Sequence, residues 1–157
     1  MTDVEVDQSG KVEELRADTV LAFSNDISYS IRIPARVKRE AFHRIRHRTT
    51  SDTLAYLRLF AADVFLLFKD HLPDIGYITI DIEYTGRAGE IKGLLLMLIR
   101  QVDPGFSKER VEFRTIGKKS GAHKLAWAVR RGEKTAAKKV TKDEFLSVLQ
   151  QKTQKIR

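Results

Sequence analysis

Three groups of residues have the types and spacing for chemistry. Residues 117–121 read Gly-Lys-Lys-Ser-Gly between an expected strand and an expected helix. Backbone amides at a helix N-terminus favour an anion, and Lys118 and Lys119 add positive charge beside Ser120. The loop is therefore either a phosphate cradle or a plain solvated connection. It is not a nucleotide-binding P-loop, which needs G-x-x-x-x-G-K-[ST]; here the lysines precede the serine and the second glycine. Arg44, Arg46 and Arg48, interleaved with His43 and His47, form a compact cationic stretch. On a helix Arg44 and Arg48 share one face, suited to phosphate contact or simply to solvent. Asp81 and Glu83 stand two apart in YITIDIEY (77–84), so a strand carries both carboxylates on one face. That face is an exposed or edge surface unless a neighbouring strand adds ligands to it.

The charge is segregated. The 157-residue chain has a formal net charge of +8. Residues 108–142 hold twelve Lys and Arg against three Glu, a net +9, and residues 32–48 hold seven against one, a net +6. The remainder is acidic. Such clustering suits a polyanionic partner, because cations gathered on a surface displace counterions from a phosphate backbone. The chain has no cysteine, which excludes a disulfide scaffold, a thiol nucleophile and every thiolate metal site. No serine-nucleophile triad and no dinucleotide fingerprint is present. The longest apolar runs, 64–68 and 94–99, are far short of a membrane span. The acidic, polar N-terminus does not read as a secretory signal, so the expected location is cytoplasmic.

The elements that must position these groups follow from periodicity. Residues 2–7 alternate as a short strand, with Val4 and Val6 on one side and a Ser9-Gly10 turn after it. Residues 19–24 and 28–33 form a hairpin. A basic helix spans 37–48. Ser51 or Asp52 caps a second helix running to about His71, apolar around most of its circumference and thus the most buried. A strand at 77–84 follows, then a helix over 88–101, a strand over 111–116 and a helix over 122–131. Residues 133–140 read as a basic linker or an extension of that helix. Thr141 and Glu144 form a capping box for a last short helix burying Phe145, Val148 and Leu149. Trp127 and Phe23 read as core. One α/β domain over 1–132, followed by a basic linker and short C-terminal helix over 133–157, accounts for the chain. Strands first, then strands alternating with helices, predict a mixed five-stranded sheet in order 3-2-1-4-5 with helices on both faces. A ferredoxin-like arrangement, with helices on one face only, is the alternative.

This order, with four local matches, resembles the ribonuclease H-like fold shared by resolvases, transposases and integrases. The first strand ends in Asp7 before a turn containing Gly10. TTSDTLAYLRLFAADVFLL (49–67) resembles the opening of the family's first long helix, DIEY (81–84) the end of its fourth strand, and VEFRTIGKKSGAHKLAW (111–127) its fifth strand, loop and last helix. The resemblance implies a divalent-metal site, Mg²⁺ or Mn²⁺, on Asp7 and Asp81, with Glu83 or His123 assisting in catalysis. It also implies a glutamate on the first long helix, where this sequence has Arg58 or Leu59.

The expected function is therefore nucleic-acid binding on a ribonuclease H-like fold, without full two-metal nuclease activity. The alternatives are a metal-dependent nuclease acting on phosphodiester bonds and a protein-interaction module for an acidic partner. DNA or RNA is the expected partner, no membrane is involved, and the chain is expected to act as a monomer or homodimer.

Overall fold

Alternation in the first strand decides which way the sheet faces. In β1 (Thr2–Ser9) Val4 and Val6 turn into the main core, while Asp3, Glu5 and Asp7 turn to the other side. The computed structural model describes the backbone of residues 1–156 and the side chains of 1–150. The strands lie side by side as β5 (Val111–Arg114), β4 (Ile75–Asp81), β1, β2 (Thr19–Ser24), β3 (Ser28–Ile33) and β6 (Lys138–Lys139). β1, β2 and β3 run antiparallel in sequence; β4 joins β1, β5 joins β4 and β6 joins β3 in parallel. The first five strands have the 3-2-1-4-5 order of the ribonuclease H-like fold, and β6 extends it by one.

Four helices cover the valine side: α1 (Ala35–Ile45), α2 (Asp52–Phe68), α3 (Ala88–Val102) and α5 (Lys142–Ile156). α4 (Gly121–Arg130) lies alone on the other side, over β1, β2 and β3. Helices on both faces remove the ferredoxin-like alternative. The cores are unequal. The main one joins Phe23, Ile31, Ile80, Phe60, Leu67 and Phe145. The one beneath α4 consists of Val20, Ala22, Ala126 and Val129. No helix of the described residues is long and apolar enough to cross a membrane.

α2 is buried along nearly its whole length, as its all-round apolar pattern requires. Ser51 starts it by accepting a hydrogen bond from the Leu54 amide at 3.1 Å, supplying one of the four amides that lack a partner within the helix. Ser51→Ala is expected to cost about 1 kcal/mol, a fall of roughly 2–4 °C in a thermal melt of a domain this size. The Thr141–Glu144 capping box forms in both directions: Thr141 Oγ1 accepts from the Glu144 amide at 3.2 Å, and Glu144 Oε1 accepts from the Thr141 amide at 3.1 Å.

Four local expectations are corrected. β4 stops at Asp81, so Glu83 lies in the loop beyond it and not on a shared strand face. The Ile82 amide makes one more bond to the Arg114 carbonyl; a turn closed by the Arg87 amide on the Tyr84 carbonyl then ends the ladder and leaves Ile82 exposed. α1 begins directly after Pro34, whose fixed φ suits a helix start, and ends at Ile45. Residues 46–48 form a 3₁₀ turn, so Arg44 and Arg48 do not share one α-helical face. Residues 138–139, within the stretch read as linker or helix extension, pair with β3 as β6. Trp127 is on the surface, not in the core.

Candidate metal centre and nucleic-acid interface

The carboxyl ends of β1 and β4 bring the acidic residues together. Val6 and Ile80 are paired in the parallel ladder, so the residues that follow them, Asp7 and Asp81, leave adjacent strands on the α4 side. Ligand atoms of Asp7, Asp81 and Glu83 all lie within 4.8 Å of one another. Each aspartate is held in place by an amide: the Gln8 amide donates to Asp7 Oδ1 at 2.8 Å, and the Ile116 amide to Asp81 Oδ1 at 2.7 Å. The second bond also ties the exit of β5 to the end of β4. His123, in the first turn of α4, places Nδ1 2.7 Å from Asp7 Oδ2. When Nδ1 donates this bond, Nε2 is left to accept a proton or to ligate.

The crowding shows in the electrostatics. Burial, then the charges of Asp7 and Asp81 and a hydrogen bond to Asp81, push the Glu83 carboxyl up to about 8. Burial also raises Asp7, against the opposing bonds from His123 and Gln8. Three carboxylates this close, two of them raised first by burial and then by neighbouring charge, are the donor set that a hard divalent cation relieves. Mg²⁺ and Mn²⁺ fit these residues; thiolate-seeking metals do not.

α2 adds no carboxylate to this cluster. Arg58, where the resemblance implies a glutamate, is buried and directs Nη2 to the Leu149 carbonyl of α5 at 3.4 Å. Leu59 is buried in the main core. The third carboxylate comes instead from Glu83, through the early end of β4.

The basic candidates divide between the two layers. Lys118 and Lys119 are exposed at the entry to α4, beside the cluster's helix. Ser120 is the N-cap of α4; its hydroxyl accepts from the Ala122 amide at 3.2 Å and donates to Glu5 Oε1 at 2.8 Å. The anion nearest that helix end is thus a carboxylate from β1. Arg44 and Arg48 are exposed on the opposite layer, where with Leu146 and Leu149 of α5 they line a small cleft.

Two neighbours of the cluster, Lys11 and Glu13, escaped the sequence reading, and Tyr84 was read only as the end of the DIEY strand. The Lys11 charge works against the rise of the Glu83 carboxyl. Tyr84 packs its ring edge-on against Phe60 at 5.2 Å and donates its hydroxyl to Glu13 at 3.0 Å, fastening the loop after β4 to the segment after β1. The signal for Lys11 was Gly10, whose φ of +80° and close approach to the Asp18 carbonyl leave no room for a Cβ. That turn sends the chain back past the cluster directly after Asp7.

Fold and site together define a ribonuclease H-like sheet with a small, partly buried acidic cluster at the ends of its central strands. No family model, curated protein or solved structure matches the chain.

Proposed function

We propose that this chain binds nucleic acid along α4 and holds Mg²⁺ or Mn²⁺ on Asp7, Asp81 and Glu83 to act on a phosphodiester bond. The observation that carries this reading is the convergence of three carboxylates within 4.8 Å, with His123 bonded to one of them, at the ends of parallel strands. A cation bound there supplies charge neutralisation at the phosphate and activation of a water. The residues of the chain do the rest. Asp7 holds the His123 ring, leaving Nε2 to take up or release a proton. The Gln8 and Ile116 amides each hold one oxygen of Asp7 and of Asp81, which fixes the two carboxylates at the ends of the ladder. Lys118 and Lys119 meet flanking phosphates, and Lys11 offsets the negative charge at the loop end.

A second reading, binding without cleavage, is favoured by Arg58. α2 supplies a buried guanidinium on its α5 side and no ligand, so the site has three carboxylates where full two-metal hydrolysis draws on more.

Titration of labelled duplex, single-stranded and branched DNA and of RNA–DNA hybrid, with and without Mn²⁺, tests both. Binding is expected to weaken steeply with salt, because each phosphate neutralised on a duplex adds about −0.9 to the slope of log K against log salt. Replacing Lys118 and Lys119 together by Ala is expected to make that slope about 1.8 less steep. Metal-dependent cleavage selects the first reading, and binding with no cleavage of any substrate selects the second. Absence of binding at low salt overturns both and leaves the acidic-partner reading.

A further inference from the structure

α4 carries a side chain that its packing does not use. Its buried face is Ala122, Ala126 and Val129, small residues that let the helix lie close on β2. The approach is tight enough that a Cβ on Gly121 meets Ser24 Oγ at 2.8 Å. The one tryptophan of the chain, Trp127, sits on the flank of this helix with 49% of its surface exposed. An indole is the most costly apolar side chain to leave in water, and the thin core beneath α4 has not taken it in.

Its neighbours form a stripe. His123, Trp127 and Arg131 follow at helical i, i+4 and i+8 spacing, which puts them in line along one flank. The stripe begins at the acidic cluster, where His123 meets Asp7. It ends at Arg131, whose guanidinium lies over the indole at 5.3 Å from the ring centre and is itself held by Glu133 at 3.2 Å. Lys124, Arg130 and Lys134 are exposed around it. Trp127 is thus one helical turn, about 6 Å, from His123. A nucleotide adjoining a phosphate held at the cluster therefore reaches the indole.

We propose that Trp127 is a stacking platform for an unpaired base next to the phosphate bound at the cluster, with Arg131 as its cationic clamp. This rests on the nucleic-acid reading above and narrows its substrate to strands that present an unpaired nucleotide there: single strands, flaps or branches. A flat aromatic beneath a guanidinium recognises the face of a base. In an uninterrupted duplex those faces are already covered by the neighbouring pairs, whereas a splayed nucleotide offers one. The surrounding cations hold the backbone without regard to sequence, so the platform selects for strandedness and not for base identity.

Because the chain has one tryptophan, its fluorescence reports on this position alone. The measurement is made in EDTA, so that neither metal nor cleavage enters. Short oligothymidylate and oligouridylate are expected to quench Trp127 saturably. An abasic strand of equal length and charge is expected to bind without the quench, and a blunt duplex to quench weakly. Trp127→Ala is expected to weaken oligothymidylate binding about tenfold or more while leaving the abasic strand unchanged. Trp127→Phe, which keeps a ring, is expected to restore most of the affinity. Equal quenching by the abasic strand, or equal loss of affinity for both strands in Trp127→Ala, overturns the platform while nucleic-acid binding stands. Failure of the wild-type chain to bind any of these strands at low salt overturns the platform and the parent reading together.

Discussion

Asp81→Asn is expected to raise the stability of the metal-free protein while removing the stabilisation that Mn²⁺ or Mg²⁺ confers. The amide keeps the shape of the side chain, and its oxygen still accepts the Ile116 amide that ties β5 to β4. What disappears is one negative charge beside Asp7 and Glu83. Both neighbours are held above the ordinary carboxylate range, chiefly by burial, and the Asp81 charge adds to each. Relieving that repulsion is expected to raise the midpoint of a thermal melt in EDTA. The loaded protein behaves in the opposite sense. A ligand at a hundred times its Kd stabilises by about 2.7 kcal/mol, or roughly 5–10 °C in the melting temperature of a domain this size. With one of three ligand carboxylates gone, that shift is expected to vanish at the same metal concentration. Even loss of an outer-sphere partner weakens metal binding about ten- to a hundredfold. Any cleavage activity falls by at least as much. Melting curves with EDTA and with Mn²⁺, for wild type and variant, check both halves. A variant less stable in EDTA that keeps the full Mn²⁺ shift shows that Asp81 supports the fold and not a cation.

The strand order was legible because it rests on alternation and on connection lengths. Val4 and Val6 against Asp3, Glu5 and Asp7 define two faces of β1. The tight turn at Asn25-Asp26 makes β2 and β3 a hairpin, and α3 between β4 and β5 is a crossover. Chain continuity decides these features, and it is local. The site was legible in part for the same reason: once the order is known, Asp7 and Asp81 lie on adjacent parallel strands just past the pair Val6 and Ile80. The end of β4 was not legible, because Ile82 continues the alternation that the Tyr84 turn breaks. Glu83 therefore entered the cluster from a loop and not from a strand face. Charge was the most misleading signal. Lys38 counts toward the net charge of 32–48 but is fully buried. Arg32 in the same stretch is tied to Asp18 and to the Val129 carbonyl, and Arg110 in the second basic segment to the carbonyls of Ile75 and Gly76. Composition counts these residues as surface cations, but the fold uses them as internal ties. Trp127 shows the converse, since an indole in an alanine-rich helix reads as core until the neighbouring core proves too thin to hold it.

Lys38→Met is expected to destabilise the fold by about 3–5 kcal/mol, more than Ser51→Ala or Asp81→Asn. Lys38 enters the interior from α1, and its ammonium uses all three donors: to the Lys11 carbonyl at 3.2 Å, the Glu14 carbonyl at 2.7 Å and Thr19 Oγ1 at 2.9 Å. Methionine fills a similar volume and leaves two carbonyls without that donor. It also removes the cation opposite Asp63, a carboxyl on α2 that is fully buried, has neither oxygen hydrogen-bonded and is pushed well above its usual range by burial. The double variant Lys38→Met/Asp63→Leu removes both charges and is expected to recover part of the loss, as apolar replacement of a buried pair commonly does. The pH dependence gives a separate check. Burial lowers Lys38 from its ordinary 10.5 to about 8, opposed by Asp63, Asp18 and Glu14 and assisted by Arg130. Between those two values the unfolded chain binds more protons at this lysine than the folded one. This group therefore adds stability as pH rises from about 8 to 10.5, and the addition is lost as pH falls back through 8. Lys38→Met is expected to lack that rise in urea unfolding measured across the same window. The consequence extends to the site. The segment that Lys38 anchors carries Lys11, whose charge opposes the rise of Glu83, and Glu13, which receives the Tyr84 hydroxyl. Loosening it is expected to weaken Mn²⁺ binding in chains that are still folded, although Lys38 touches none of the three carboxylates in the cluster. Unchanged Mn²⁺ affinity in the folded fraction of Lys38→Met shows instead that β1 and β4 alone position the cluster.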